Sequence, residues 1–260
     1  MRIIAFASGK GGVGKTTVVA NLGVALARQG KKVLLVDTDL AMANLSLILG
    51  METSPITLND VLKGDAGVWD VVYDGPEKIN IMPASLGLQD TQRLDLTKLP
   101  NIIKQVAPKY DFVLLDCPAG IGEDTLAAMA SSTEVFLVVN PHSLSIADAL
   151  KTKISAQRIN AKPVGVIINM YAGLKGEIPE KDIISMLELP LYGVIPYDEE
   201  VRKTFYYKKI QPVIIRNPNA MASKAVLAVA GKILGIQIEF KNESGGFFAW
   251  IKRIFSKNKK

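Results

Sequence analysis

Gly9-Lys10-Gly11-Gly12-Val13-Gly14-Lys15-Thr16-Thr17 stands between an apolar run, Arg2–Ala7, and a helical pattern, Thr16–Gln29. It fits G-x-x-x-x-G-K-[ST] in the strand–loop–helix context that the motif requires. Glycines let backbone N–H groups converge on phosphate oxygens without Cβ clashes. The helix N-terminus that follows adds partial positive charge. Gly11, Gly12, Val13, Gly14, Lys15, Thr16 and Thr17 are therefore candidate nucleotide-binding residues. Lys15 is expected at the β/γ-phosphates and the Thr16 hydroxyl at Mg²⁺. A glycine-rich turn without a ligand is the competing reading.

Outward from this loop, short apolar runs alternate with helical patterns. Arg2–Ala7, Lys32–Val36, Phe112–Leu115, Val135–Val139, Val164–Ile168 and Leu191–Ile195 read as buried parallel strands, with Ile79–Met82 weaker. Thr16–Gln29, Leu99–Ala107, Asp124–Ala130, Ser145–Arg158, Pro179–Met186 and Ala220–Leu234 read as helices. Gly30 fits a C-terminal cap of the first. Such alternation predicts an α/β fold: a doubly wound, mostly parallel sheet flanked by helices. There is no internal repeat. Asn-Glu-Ser-Gly-Gly breaks regular structure within 239–246, so the expected organisation is one domain (1–238), a linker (239–246) and a C-terminal amphipathic helix (247–260).

Composition excludes several classes. At 260 residues, 48% apolar and 22% charged, the chain is not disordered. One cysteine, Cys117, and one histidine, His142, exclude a disulfide scaffold and argue against Cys/His metal clusters. No apolar run approaches the roughly 18 residues of a spanning helix. The apolar start is too short for a secretory signal, so a cytoplasmic location is expected. The formal charge is +6, but residues 241–260 hold six basic side chains and one acidic one, a net +5. The other 240 residues carry only +1, which does not suggest a body that coats nucleic acid.

Lys10 adds a second lysine inside the loop. K-G-G-x-G-K-T-T resembles the deviant Walker A motif of the MinD/ParA ATPase family. The resemblance implies that Lys10 reaches the partner's nucleotide across an ATP-sandwich homodimer; a lysine that only adds local charge is the alternative. Asp37-Thr38-Asp39 follows the second strand. By the resemblance Asp39 lies in switch I, orients the attacking water and stands with Thr16 and Asp116 around Mg²⁺. Asp37 then sits near the Mg²⁺ hydration shell or merely caps a strand end. Asp116 resembles the Walker B aspartate, which holds Mg²⁺ through water. Asp116-Cys117-Pro118-Ala119-Gly120-Ile121-Gly122 is similar to the D-x-P-A-G-I-E of the family's MinD members, with Gly122 departing from their glutamate.

There is no N-K-x-D guanine motif. By the resemblance, Asn169 and the Pro196-Tyr197-Asp198 turn surround adenine, making Asn169, Pro196 and Asp198 base-site candidates and ATP the expected nucleotide. Turn chemistry at strand ends is the other reading. Cys117 reads as a partly buried thiol near the switch. One cysteine cannot supply the two per subunit with which the nitrogenase iron protein bridges its dimer, nor a C-x-x-C pair. His142 reads as a loop histidine. Asp148, near the switches in the family, belongs either to a partner surface or to a solvated helix face.

The implied chemistry is attack by water on the γ-phosphate. Lys10, Lys15 and Asp39 are its catalytic candidates, stabilising charge or orienting water. The tail makes a separate argument. Wound as a helix, Phe247, Phe248, Trp250, Ile251, Ile254 and Phe255 fall within an arc of roughly 160°. Lys252 and Arg253 lie outside it. This is the form of a membrane-surface anchor, and it is similar to the C-terminal targeting sequence of the family's MinD members. Docking on the body and binding of nucleic acid are the alternatives. One such tail binds weakly; two on one dimer bind with a second, intramolecular step. The expected partners are a second copy with ATP, an anionic membrane surface and an activating or effector protein, with no specific nucleic acid. The sequence thus reads as a slow, dimer-dependent ATPase that regulates cell division from the cytoplasmic face of the membrane. A ParA-like DNA-partitioning ATPase or a regulator of flagellar placement stands behind it.

Overall fold

Strands buried on both faces need apolar side chains in both directions, and this chain supplies them in its long parallel runs. The computed structural model describes residues 1–51, 54–87 and 94–238. In chain order they form β1 (Arg2–Ser8), α1 (Lys15–Arg28), β2 (Val33–Asp37), α2 (Leu45–Ile48), α3 (Leu58–Lys63), β3 (Tyr73–Asp74), β4 (Asn80–Met82) and α4 (Leu99–Val106). Then come β5 (Phe112–Ala119), α5 (Glu123–Ala130), β6 (Glu134–Val139), α6 (Ser143–Arg158), β7 (Pro163–Tyr171), α7 (Glu180–Leu187), β8 (Leu191–Pro196), α8 (Glu199–Thr204), α9 (Val213–Arg216) and α10 (Met221–Leu234). The linker 239–246 and the tail 247–260 lie outside the described residues.

Among the described residues the strands form one sheet of order β3-β4-β2-β5-β1-β6-β7-β8. Every pairing is parallel except β3 with β4. β1 lies between β5 and β6, and the chain winds away from it in both directions. The crevice beyond the carboxyl end of β1 is thus a topological switch point, where open α/β sheets bind ligands. The doubly wound expectation holds.

One core layer packs α4–α6 against one face through Leu34, Val36, Val113, Leu115, Leu137 and Ile168. The other packs α1, α9 and α10 against the opposite face through Ile4, Phe6, Leu35, Leu114, Phe136 and Ile167. α1 ends as its sequence predicts: Gly30 has φ 75° and its N–H donates to the Ala27 carbonyl at 2.9 Å.

The structure adds what periodicity did not show. β3 has two residues and pairs antiparallel, too short to leave a pattern. α2 takes its cap from Asp37, whose carboxylate accepts the N–H of Asn44 at 3.1 Å and of Leu45 at 3.0 Å. α3 does carry a local signal: Thr57 N–H donates to Asp60 Oδ2 at 2.7 Å, half of a capping box. α6 begins at Ser143, earlier than expected, because His142 Nδ1 accepts the Ser145 N–H at 3.2 Å.

Phe136 is fully buried on β6. Its ring stacks on Phe6 with centroids 5.7 Å apart and meets Tyr192 edge-on at 4.5 Å. Phe136→Ala is expected to destabilise the fold by about 3–5 kcal/mol, read as a lower urea midpoint at unchanged slope.

Candidate active site

The loop after β1 is held on two sides. On one, α6 passes so close that a Cβ on Gly9 would lie 2.3 Å from the Asp148 backbone carbon. No larger residue fits there without moving the helix. On the other, Gly14 has φ 82°, which a side chain resists, and a Cβ there would lie 2.4 Å from Asn169 Nδ2. Asn169 Nδ2 donates to the Val13 carbonyl at 2.8 Å, and Asn140 Nδ2 reaches the Asn169 carbonyl at 3.1 Å. The ends of β6 and β7 therefore fix the loop that follows β1. Asn140 was not foreseen; its place after an apolar strand end, like that of Asn169, was the available signal.

Lys15 opens α1 and points into the sheet. Its ammonium donates to Asp116 Oδ1 at 2.7 Å, and the two side chains are 7% and 1% exposed. Burial opposes the Lys15 charge, yet the carboxylates of Asp116 and Asp37 outweigh it and hold its pKa above the usual lysine value. The loop lysine and the β5 aspartate, 101 residues apart, are in direct contact. Thr38 closes the third side: its hydroxyl donates to the Asp116 carbonyl at 2.8 Å and its N–H at 3.1 Å.

Asp37 is register partner of Asp116 across β2 and β5. Burial and the Asp116 charge push its pKa up to about 7, against the backbone N–H groups of Leu45 and Asp39. Its carboxylate caps α2. Asp39 stands one step outside, half-buried; its Oδ1 accepts the Met42 N–H at 3.0 Å and its own N–H donates to Asp37 Oδ1 at 3.1 Å. Thr16 and Thr17 are half-buried in the first turn of α1. Lys10 is half-buried, and among the described residues its ammonium has no hydrogen-bond or ion-pair partner. Gly11 and Gly12 are exposed and Val13 is buried.

Cys117 corrects an expectation. It is fully buried, not partly, because the next strand residue after Asp116 turns into the core. Burial pushes the thiol up to about 12, with Lys15 only partly offsetting it. Asp148 pairs with Lys151 at 3.1 Å on α6, whose outer face also shows Leu144, Leu150 and Ile154.

Beside α1 lies a cavity of about 270 Å³. Asn169, Pro196 and Asp198 all line it, with Thr17, Tyr197 and Phe205. It is small for a ligand pocket, roughly 300–1,000 Å³, so it suits part of a nucleotide, with the open phosphate loop beside it. Asp198 also has structural work. Its Oδ1 accepts the Glu200 N–H at 2.9 Å and its Oδ2 the Ala222 N–H at 2.9 Å, so one carboxylate caps α8 and the start of α10. Tyr197 and Phe205 were missed as pocket residues. Tyr197 lay within the quoted turn, whereas Phe205 arrives only through the fold.

The donor set fits Mg²⁺. That ion takes one or two carboxylates, with phosphate oxygens and water completing its octahedron. The Thr16 hydroxyl and the Asp116 carboxylate are of that kind. Among the described residues there is no group of three or more His, Cys, Asp or Glu able to hold a metal unaided.

Comparisons with known proteins agree with this geometry. A family model described as an AAA domain matches residues 1–162. An uncharacterized ATP-binding protein of Methanocaldococcus jannaschii is 42% identical over 257 residues, covering 98% of this chain and 97% of its own. The septum site-determining protein MinD of Bacillus subtilis is 32% identical over 268 residues, covering 97% of each. The solved structure of MinD complexed with Mg-ADP from Pyrococcus horikoshii superposes with a TM-score of 0.85 at 40% identity, over 89% of this chain and 95% of that one.

Two outcomes follow for the site. Cys117 in the native protein is expected not to react with Ellman's reagent at pH 8, and to titrate fully after denaturation. Asp198→Ala, which removes two caps, is expected to lower stability by about 1–3 kcal/mol in urea unfolding. Asp198→Asn, which keeps one acceptor oxygen, should lose less.

Proposed function

Because the chain belongs to the MinD/ParA family of P-loop ATPases, we propose that it is an ATP-driven dimerising switch that attaches to the cytoplasmic face of the membrane and regulates cell division in space. The observation that carries this reading is the pair of lysines in one loop: Lys15 turned inward onto Asp116, Lys10 half-buried without a partner among the described residues. A second cation placed so stays unneutralised among the described residues. It suits a phosphate presented by another copy.

ATP and Mg²⁺ are its ligands. Backbone N–H groups from Gly11 to Thr17 cradle the phosphates, and Asn169, Pro196 and Asp198 border the base. Thr16 and Asp116 hold the metal, Asp116 through water, with Asp39 nearby; bound there, Mg²⁺ neutralises charge on the phosphate oxygens. Lys15 exchanges its carboxylate partner for phosphate. Asp39 orients the attacking water, and Lys10 of a second copy offsets charge that develops on the γ-phosphate oxygens. Turnover is then slow and depends on dimerisation.

No helix among the described residues is long and apolar enough to cross a membrane. Attachment falls instead to residues 247–260, through Phe247, Phe248, Trp250, Ile251, Ile254 and Phe255 with Lys252 and Arg253. Each basic residue near an anionic leaflet contributes about 1 kcal/mol, so one tail is weak and two on a dimer are effective. The apolar outer face of α6, which begins beside the phosphate loop, suits an activating or effector protein.

Co-sedimentation with anionic vesicles tests the switch. Pelleting is expected with ATP, much less with ADP, and none after removal of residues 247–260; pelleting that ignores both nucleotide and tail refutes it. Lys10→Ala is expected to keep ATP binding and lose stimulated turnover. Normal stimulated turnover in that variant would remove the trans role.

A further inference from the structure

One stretch of the body sets exposed aromatic rings among basic side chains. Between Val201 and Met221 stand Arg202, Lys203, Lys208, Lys209 and Arg216, and no aspartate or glutamate. That segment carries +5, the tail 241–260 carries another +5, and the whole chain carries +6. Three exposed aromatic side chains stand in the same stretch. Phe205, Tyr206 and Tyr207 are 43%, 79% and 45% exposed in three consecutive positions.

The segment is built, not loose. Arg216 lies over the Tyr207 ring at 3.9 Å and donates to the Lys209 carbonyl at 3.0 Å. Arg202 and Lys203 are engaged with Glu199 and Glu200 on α8. Lys208 and Lys209 are exposed, and among the described residues neither ammonium has a partner. Tyr206 stands beside them, the most exposed aromatic side chain of the described residues.

We infer that Tyr206, Lys208 and Lys209 form a second membrane contact, which sets the orientation of the body on the anionic surface that the tail binds. This rests on the membrane-switch reading. Tyrosine favours the headgroup level, where its ring is sheltered and its hydroxyl is wet, and lysine beside it meets anionic lipid. The tail has the same chemistry, aromatic rings beside lysines. Two segments that both set aromatic rings beside lysines fit one anionic target.

The reach is adequate. α10 starts against Asp198, next to α8, and its other end meets Arg2, which donates to the Ile233 carbonyl at 2.6 Å. Its 14 residues rise about 21 Å. The eight residues 239–246 span up to about 29 Å when extended, so the tail can return to the plane of the patch.

The test uses the full chain with ATP and Mg²⁺ on vesicles of phosphatidylserine and phosphatidylcholine. Three proteins are compared: wild type, a patch variant (Tyr206→Ser, Lys208→Gln, Lys209→Gln) and a tail variant (Phe248→Ser, Trp250→Ser). The patch variant is expected to partition at least tenfold more weakly at low salt, with less loss at high salt and unchanged basal turnover in solution. An environment-sensitive label on Tyr206→Cys is expected to shift to the blue on vesicles; Cys117 is buried and takes no label. Equal partitioning of patch variant and wild type, with the tail variant unbound, overturns the patch and leaves the switch standing. Failure of wild type to bind overturns both. A patch variant that keeps vesicle binding and loses binding to duplex DNA assigns the patch to nucleic acid, and so overturns it.

Discussion

The ion pair between Lys15 and Asp116 is the constraint on which the site depends. Both groups are almost wholly removed from water. Burying a charge is expensive, and the pair is tolerable only with close geometry and further hydrogen bonds. The fold supplies them. β5 lies between β1 and β2, so the strand that carries the aspartate runs beside the strand that feeds the phosphate loop. Thr38 secures the Asp116 backbone from the other neighbour, while Asp37 is drawn in close enough to raise its own pKa. Three motifs far apart in the chain thereby become one electrostatic unit. Asp37 passes that unit's influence to α2 by capping it, which ties the segment after β2 to the phosphate site.

Phosphate loops are backbone sites, and their shape has to be imposed from outside. Here α6 presses on Gly9 while Asn169 and Asn140 grip Val13 from the ends of β7 and β6. Asp198 does the same for the base side by capping two helices with one carboxylate. Binding residues and fold-holding residues are thus the same residues. A nucleotide arriving there meets groups already placed, which reduces the ordering cost of binding.

Basic side chains and aromatic rings stand together in two segments, 201–221 on the body and the tail 241–260. The net charge outside 201–221 and 241–260 is −4, so the body as a whole is not a polycation. Such a distribution disfavours general attraction to polyanions while allowing one oriented approach to an anionic surface. The nucleotide pocket adjoins one of these segments, since Arg202 and Phe205 line it. The cavity and the basic segment therefore share a wall.

By itself, the sequence determined the strands, the long helices, the phosphate loop and the doubly wound class, because these are written in local periodicity and spacing. Every long apolar run became a strand within a few residues of its expected bounds. Candidates such as Asn169, Pro196 and Asp198 were legible as strand-end residues, but their meeting around one cavity was not. Only the tertiary structure decided which carboxylate faces Lys15, that Asp37 caps a helix, that Cys117 is sealed in the core, and that Asn140 and Phe205 belong to the site. Those outcomes depend on which strands become neighbours and in what register. A one-residue slip would turn each side chain to the other face, and no local pattern records that choice.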